Sequence, residues 1–284
     1  MATQLEKAET LRALHHRGCA FIIPNPWDAG SARLLADAGF EALATTSAGI
    51  AFSRGLPDGI LDTDAILANA VEIAQAVNLP VSVDLEHGYG DTPESVERTI
   101  RRTLDLGLAG GSIEDSTGRP DAPIYEFGLA VERIRAAADA VRGQAIPFQL
   151  VARAENFLHG RPDLADTIRR LQAFQEAGAD VLYAPGLRTA EQIRDVVGSI
   201  DRPLNVVMGL VGADLTVDQL SKLGVARISI GSALARRIYG AVIDAAAEMM
   251  EKGSFTFAEA ATPMQRLNGI FAAWQRKAAS IGVS

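Results

Sequence analysis

The chain has 284 residues, 48% hydrophobic and 22% charged, which supplies a sizeable core and is too apolar for a disordered protein. A formal charge of −8 excludes nucleic acid and anionic membrane as expected partners, and no apolar run approaches the roughly 20 residues of a membrane span. The single cysteine, Cys19, leaves no disulfide framework and no multi-cysteine zinc site. The first 16 residues, MATQLEKAETLRALHH, contain no apolar signal region, so a soluble cytoplasmic protein is expected.

Short apolar runs alternate with amphipathic stretches. After a leading helix, strands are predicted at 19–23, 42–46, 80–86, 111–114, 148–155, 181–184, 204–208 and 227–230. Helices are predicted between them at 29–38, 63–76, 95–106, 129–141, 164–177, 190–197 and 217–223, each with apolar residues at helical spacing. Gly39, Gly107, Gly178 and Gly224 fall where left-handed helix caps belong, and Thr92–Pro93 opens the helix at 95–106. Strands alternating with helices imply parallel pairing and right-handed crossovers, and eight such units predict a closed (β/α)8 TIM barrel in one domain over 1–284. A doubly wound open sheet is the rival. Residues 232–284 add helices at 232–251 and 257–279. Met264, Leu267, Ile270, Phe271 and Trp274 stripe the second, which must pack on the barrel or on a neighbouring subunit.

Barrel enzymes place their chemistry at the C-terminal strand ends. Strand alternation turns Val81, Val83 and Leu85 outward, so Ser82, Asp84 and Glu86 point into the mouth. The same alternation turns Ser112, Glu114, Arg153 and Glu155 inward, and the loop after the second strand adds Asp58. Carboxylates crowded in a dry cavity repel one another unless a cation neutralises them. Arg153 supplies one charge; the remainder is accounted for by a divalent cation, Mg²⁺ (or Mn²⁺) given the all-oxygen set, or by a salt-bridge network around Arg153. No lysine falls at a strand end, which removes Schiff-base chemistry. Cys19 reads as a core residue, and His15 and His16 as surface. His87 and His159 follow strands and are candidates for acid or base. Gly209, Gly212 and Gly231 suit either a phosphate cradle or tight turns.

Four ordered motifs carry a resemblance: Thr46-Ser-Ala-Gly49 with Gly55-Leu-Pro-Asp58, Asp84-Leu-Glu-His-Gly-Tyr-Gly90, Ser112-Ile-Glu-Asp115 and Val151-Ala-Arg-Ala-Glu155. Together they resemble the isocitrate lyase/phosphoenolpyruvate mutase superfamily over nearly all of 10–250. The resemblance implies a barrel assembled as a homotetramer, with a C-terminal helix swapped between paired subunits. It implies Mg²⁺ held directly by Asp84 and through water by Asp58, Glu86 and Glu114. The substrate implied is a small 2-oxo or 2-hydroxy carboxylic acid, held by Thr46, Ser47, Ala48, Arg153 and Glu155. The reaction implied is cleavage of a C–C or P–C bond through a metal-stabilised enolate, with oxaloacetate-like decarboxylation as one option.

The loop 116–127 departs from the superfamily's lyases of isocitrate and methylisocitrate, having no cysteine, lysine or histidine. Arg153, Glu114, His87 and Tyr89 are the catalytic candidates, with Tyr125 as a further proton donor and Arg119 as a polar contact from a closing loop. A binding protein for 2-oxo acids that keeps the metal site is the alternative to an enzyme.

Overall fold

The computed structural model describes residues 2–210, 212 and 214–280, so the end of the expected 1–284 domain, residues 281–284, lies outside them. All eight strands are present: β1 (Phe21–Ile23), β2 (Leu43–Ala44), β3 (Val81–Asp84), β4 (Gly110–Glu114), β5 (Gln149–Arg153), β6 (Val181–Tyr183), β7 (Leu204–Val207) and β8 (Arg227–Ser229). They pair in parallel in the order β1-β8-β7-β6-β5-β4-β3-β2. The Ala44 N–H donates to Pro24 O at 3.1 Å, bringing β1 against β2 and leaving the barrel nearly closed. The doubly wound alternative falls.

The helices are α1 (Gln4–His15), α2 (Ala29–Asp37), α3 (Ser47–Ser53), α4 (Thr63–Ala76), α5 (Pro93–Asp105), α6 (Phe127–Val141), α7 (Leu164–Ala177), α8 (Ala190–Val197), α9 (Val217–Lys222), α10 (Ala233–Lys252) and α11 (Met264–Ser280). Capping side chains set several starts; Thr92, for example, accepts from Ser95 N–H while Pro93 fills the first turn of α5. Gly178 ends α7 at φ 114°, a conformation costly for any side chain.

Val81, Val83 and Leu85 join the large cluster between strands and helices, as alternation requires. A small interior cluster of Val151, Val181, Tyr183 and Val207 lies inside the sheet. At the other end, Ala8, Leu11 and Leu14 of α1 pack with Phe21, Ile23, Ala42, Ala44 and Ala109. The barrel is thus plugged at its N-terminal end and open only at the other. No described helix is long and apolar enough to cross a membrane.

Three expectations are corrected. The helix expected at 257–279 is broken into a 3-10 turn (Thr256–Ala260) and α11, because Pro263 cannot donate and restricts the residue before it. Cys19 precedes β1 and is exposed, not core. His15 is buried rather than on the surface. Its Nδ1 bonds Leu11 O at 2.8 Å and its ring meets Phe21 edge-on at 5.2 Å.

Burial, then the Arg227 charge, pushes the His15 pKa down to about 3. Below the ordinary histidine pKa of about 6.5, the unfolded chain takes a proton that the folded chain refuses. Stability contributed by neutral His15 is therefore lost as pH falls from about 6.5, by up to ~1.4 kcal/mol per pH unit. Urea unfolding at pH 7 and pH 5 should show this loss, and His15→Phe should remove that share of it.

Candidate active site

The C-terminal strand ends surround a cavity of about 620 Å³. Its centre is Arg153, the last residue of β5. The guanidinium Nη1 donates to Asp84 Oδ1 at 3.1 Å, Nη2 meets Glu114 Oε2 at 3.1 Å, and Nε donates to Glu155 Oε1 at 2.8 Å. The Tyr183 ring lies 4.9 Å from the guanidinium carbon. Burial works against the Arg153 charge, but Glu155, Glu114 and Asp84 outweigh it and push its pKa up.

Asp84 is fixed from its other side. Its Oδ2 accepts from both the N–H and the hydroxyl of Ser47, each at 3.1 Å, and its own N–H donates to Thr45 Oγ1 at 2.9 Å. Ser47 is positioned by α3, a short helix missed by the periodicity because it spans barely two turns. Its signal was Thr46, whose side chain caps the helix by accepting from Gly49 N–H. The Ser47 N–H is thus committed to Asp84.

The other acids crowd the same space. Burial, then Asp84 and Asp58, pushes Glu86 up to about 7, and burial followed by Asp84 raises Asp58. Burial also raises Glu114, against the pull of Arg153. Glu86 sits at φ 47° and Tyr89 at φ 57°, left-handed conformations that cost energy in non-glycine residues. Glu86 Oε1 and Tyr89 Oη are buried without a hydrogen-bond partner among the described residues.

Of the candidates, Thr46, Ser47, Ala48, Asp58, Asp84, Glu86, His87, Glu114, Arg153 and Glu155 all line the cavity, as does His159. Tyr89 does not line it. Burial, then the Arg133 charge, holds His87 below the ordinary histidine pKa, so its ring is neutral at neutral pH.

Tyr125 and Arg119 also lie outside the lining. Arg119 Nη1 donates to both Asp91 oxygens at 2.9 Å, and Tyr125 Oη donates to Asp91 Oδ1 at 2.6 Å. Arg133 stacks on Tyr125 and donates to the carbonyls of His87, Gly90 and Asp91. These contacts tie the loop 116–127 to the loop after β3, so both side chains serve that junction.

Sequence reasoning missed the support beneath Glu155. Asp115 is buried, accepts from Glu155 N–H at 2.8 Å and pairs with Arg170 Nη1 at 3.1 Å. It also missed Asn25, whose Oδ1 accepts from Ile230 N–H at 2.9 Å and Gly231 N–H at 3.0 Å. Those amides are therefore spent within the protein. A Cβ on Gly209 would meet that of Ala233 at 2.7 Å. Close packing accounts for Gly209, and a phosphate cradle here would lack the Ile230 and Gly231 amides.

A (β/α)8 barrel with its charged cluster at the C-terminal strand ends defines a barrel enzyme. The model of the phosphoenolpyruvate phosphomutase family matches residues 11–250, and the chain belongs to that family, within the isocitrate lyase/phosphoenolpyruvate mutase superfamily of carbon–carbon lyases and mutases. The 2-methylisocitrate lyase of Escherichia coli K12 is 32% identical over 209 residues, which is 70% of this chain and 69% of the relative. A provisionally assigned lyase/mutase from Burkholderia cenocepacia J2315 superposes with a TM-score of 0.92 and 57% identity, covering 95% of this chain and 96% of its own. Oxaloacetate acetylhydrolase in complex with the product oxalate superposes with a TM-score of 0.84 and 27% identity, covering 98% of both chains.

Removing the Arg153 guanidinium strands three carboxylates. Arg153→Met should destabilise the fold by about 3–5 kcal/mol, the range for breaking a buried pair from one side. Urea unfolding measures it, and an unchanged midpoint would show that the cluster does not depend on Arg153.

Proposed function

We propose that the protein is a divalent-metal-dependent lyase that cleaves a C–C bond of a small 2-oxo acid or its 2-hydroxy precursor. The observation that carries this reading is the charge imbalance in the cavity. Asp58, Asp84, Glu86, Glu114 and Glu155 line it against three arginines. Arg153 pairs with three of these acids, while Arg227 and Arg236 pair with none, which among the described residues leaves Asp58 and Glu86 without a cation.

A hard divalent cation fits that imbalance. Among the described residues no group of three or more His, Cys, Asp or Glu side chains is close enough to enclose a metal alone. Mg²⁺ does not need such a cage, since it usually keeps several waters and takes one or two carboxylates plus substrate oxygens. The unpartnered, buried Glu86 Oε1 is an acceptor that such a hydrated ion would satisfy. Asp84 would hold the ion directly, and Asp58, Glu86 and Glu114 would hold its waters. When bound, the cation supplies Lewis-acid stabilisation of negative charge on substrate oxygens.

The chain's own residues do the rest. In an oxaloacetate-like acid, breaking the C3–C4 bond releases carbon dioxide and leaves the electron pair as the enolate of the remaining 2-oxo acid, which then takes up a proton at C3. Arg153 lines the cavity in which that charge develops, and its guanidinium has N–H donors beyond the three committed to carboxylates. Thr46, Ser47 and Ala48 shape the opposite wall, with Ser47 holding Asp84 in place. Glu155, anchored through Asp115, fixes the guanidinium plane. His87, neutral and lining the cavity, is the proton carrier. The loop 116–127 offers no cysteine, so oxaloacetate-like acids come before isocitrate-like ones as substrates.

Product detection by NMR over oxaloacetate, phosphonopyruvate and methylisocitrate, with Mg²⁺ and with EDTA, tests the reading. Metal-dependent pyruvate from oxaloacetate is expected, with turnover abolished in Asp84→Ala. Silence from every acid with Mg²⁺ present would overturn it. Glu86 must shed its proton to meet a cation, so Mg²⁺ affinity should rise with pH through about 7 in calorimetry.

A second subunit completes the assembly in this reading. Val242 and Ile243 on α10 are 59% and 68% exposed, and Met250 is 86% exposed. Such an apolar face on a soluble enzyme calls for a partner, here a second copy within a tetramer. Analytical ultracentrifugation should give a tetramer for the wild type and smaller species for Val242→Asp/Ile243→Asp. A monomeric wild type would contradict it.

A further inference from the structure

The cavity contains a second buried guanidinium that the proposed chemistry does not use. Arg227 opens β8, is 4% exposed and lines the cavity with Arg153. Its Nε and Nη1 are buried without a hydrogen-bond partner, and it forms no ion pair among the described residues. Burial pushes its pKa down to about 10, which leaves it charged at neutral pH. A buried charge without a counter-ion is expensive, and proteins keep one where a ligand completes it.

The register shows what such a ligand would meet. One hydrogen-bonded row runs Arg153, Tyr183, Asn205, Arg227 across β5 to β8. The two arginines are three strand spacings apart, roughly 14 Å along the barrel wall, and both reach inward. Between them Asn205 donates its Nδ2–H to Ser229 Oγ at 3.1 Å, and its Oδ1 is buried and unpartnered. Arg153 is ringed by carboxylates at the mouth, whereas Arg227 pairs with none of them and feels Asp84 only at longer range.

We propose that Arg227 is a specificity residue that binds a second anionic group of the substrate, a carboxylate at the end remote from the 2-oxo or 2-hydroxy head. The inference rests on the 2-oxo acid reading above. It makes the substrate a dicarboxylate, with one acid group in the Arg153–Asp84 cluster and the other on Arg227. A charge-assisted contact of this kind sets one acid above its single-carboxylate analogue by about tenfold or more.

Malate and lactate share the 2-hydroxy acid head and differ in the second carboxylate, so they isolate this contact. Calorimetry in Mg²⁺ buffer should show wild type binding malate about tenfold or more tighter than lactate. Arg227→Gln should bring the two within about twofold with lactate affinity unchanged, and Arg227→Lys should retain part of the preference. The unchanged lactate affinity doubles as the control for folding. A preference that survives in Arg227→Gln, or an equal loss of both ligands, would overturn the role of Arg227. Equal binding of malate and lactate by wild type would also overturn it. If chloride replacement by gluconate then lowers the melting temperature of wild type alone, the guanidinium holds a free inorganic anion instead. Binding of neither acid would remove the 2-oxo acid reading and this inference together.

Discussion

The site depends on the Arg153 guanidinium among Asp84, Glu114 and Glu155 at the barrel mouth. Each nitrogen of the planar fork meets a carboxylate delivered by a different strand end. Asp84 ends β3, Glu114 ends β4 and Glu155 follows β5, so one side chain sets the spacing of three neighbouring strands. Lysine, a point charge on a flexible stem, would not impose that geometry.

The cluster is held by contacts that reach well beyond it. Ser47 clamps Asp84 from the start of α3, and Asp115 clamps the backbone of Glu155 while pairing with Arg170 on α7. Asn25 joins the ends of β1, β2 and β8 through three hydrogen bonds, Nδ2 to Thr45 O and Oδ1 from Ile230 and Gly231. The Asp91 junction fixes the loop 116–127 beside the mouth. A barrel of short strands thereby carries a charged cavity without losing its register, because polar groups near the mouth are tied to backbone.

The barrel was legible because its signals are local. Alternation in the third strand placed Val83 outward and Asp84 inward, and the same rule placed Arg153 and Glu155. The motifs that implied the superfamily lie at those same strand ends, where the family match now confirms membership. What failed to show depends on tertiary distance. His15 looked like a surface helix residue because nothing local reveals that α1 plugs the barrel. Cys19 looked apolar and sits before β1, outside the sheet. Tyr89 is buried just behind the cavity lining, where burial and then the charges of Glu86 and Asp84 hold its phenol protonated, and Tyr125 donates to Asp91 at the edge of the mouth. Arg227 falls at the start of a strand, where barrel logic expects structure rather than chemistry, and only its unpartnered nitrogens mark it.

The central claim is that the surplus of carboxylates around Arg153 is a metal site. Anomalous diffraction from crystals grown with Mn²⁺ and oxalate tests it most directly. The account predicts one strong peak bonded to a carboxylate oxygen of Asp84, with Asp58, Glu86 and Glu114 facing its waters. Crystals with oxalate bound and no anomalous peak beside Asp84 would contradict it, and would leave the cluster as a salt-bridge network alone.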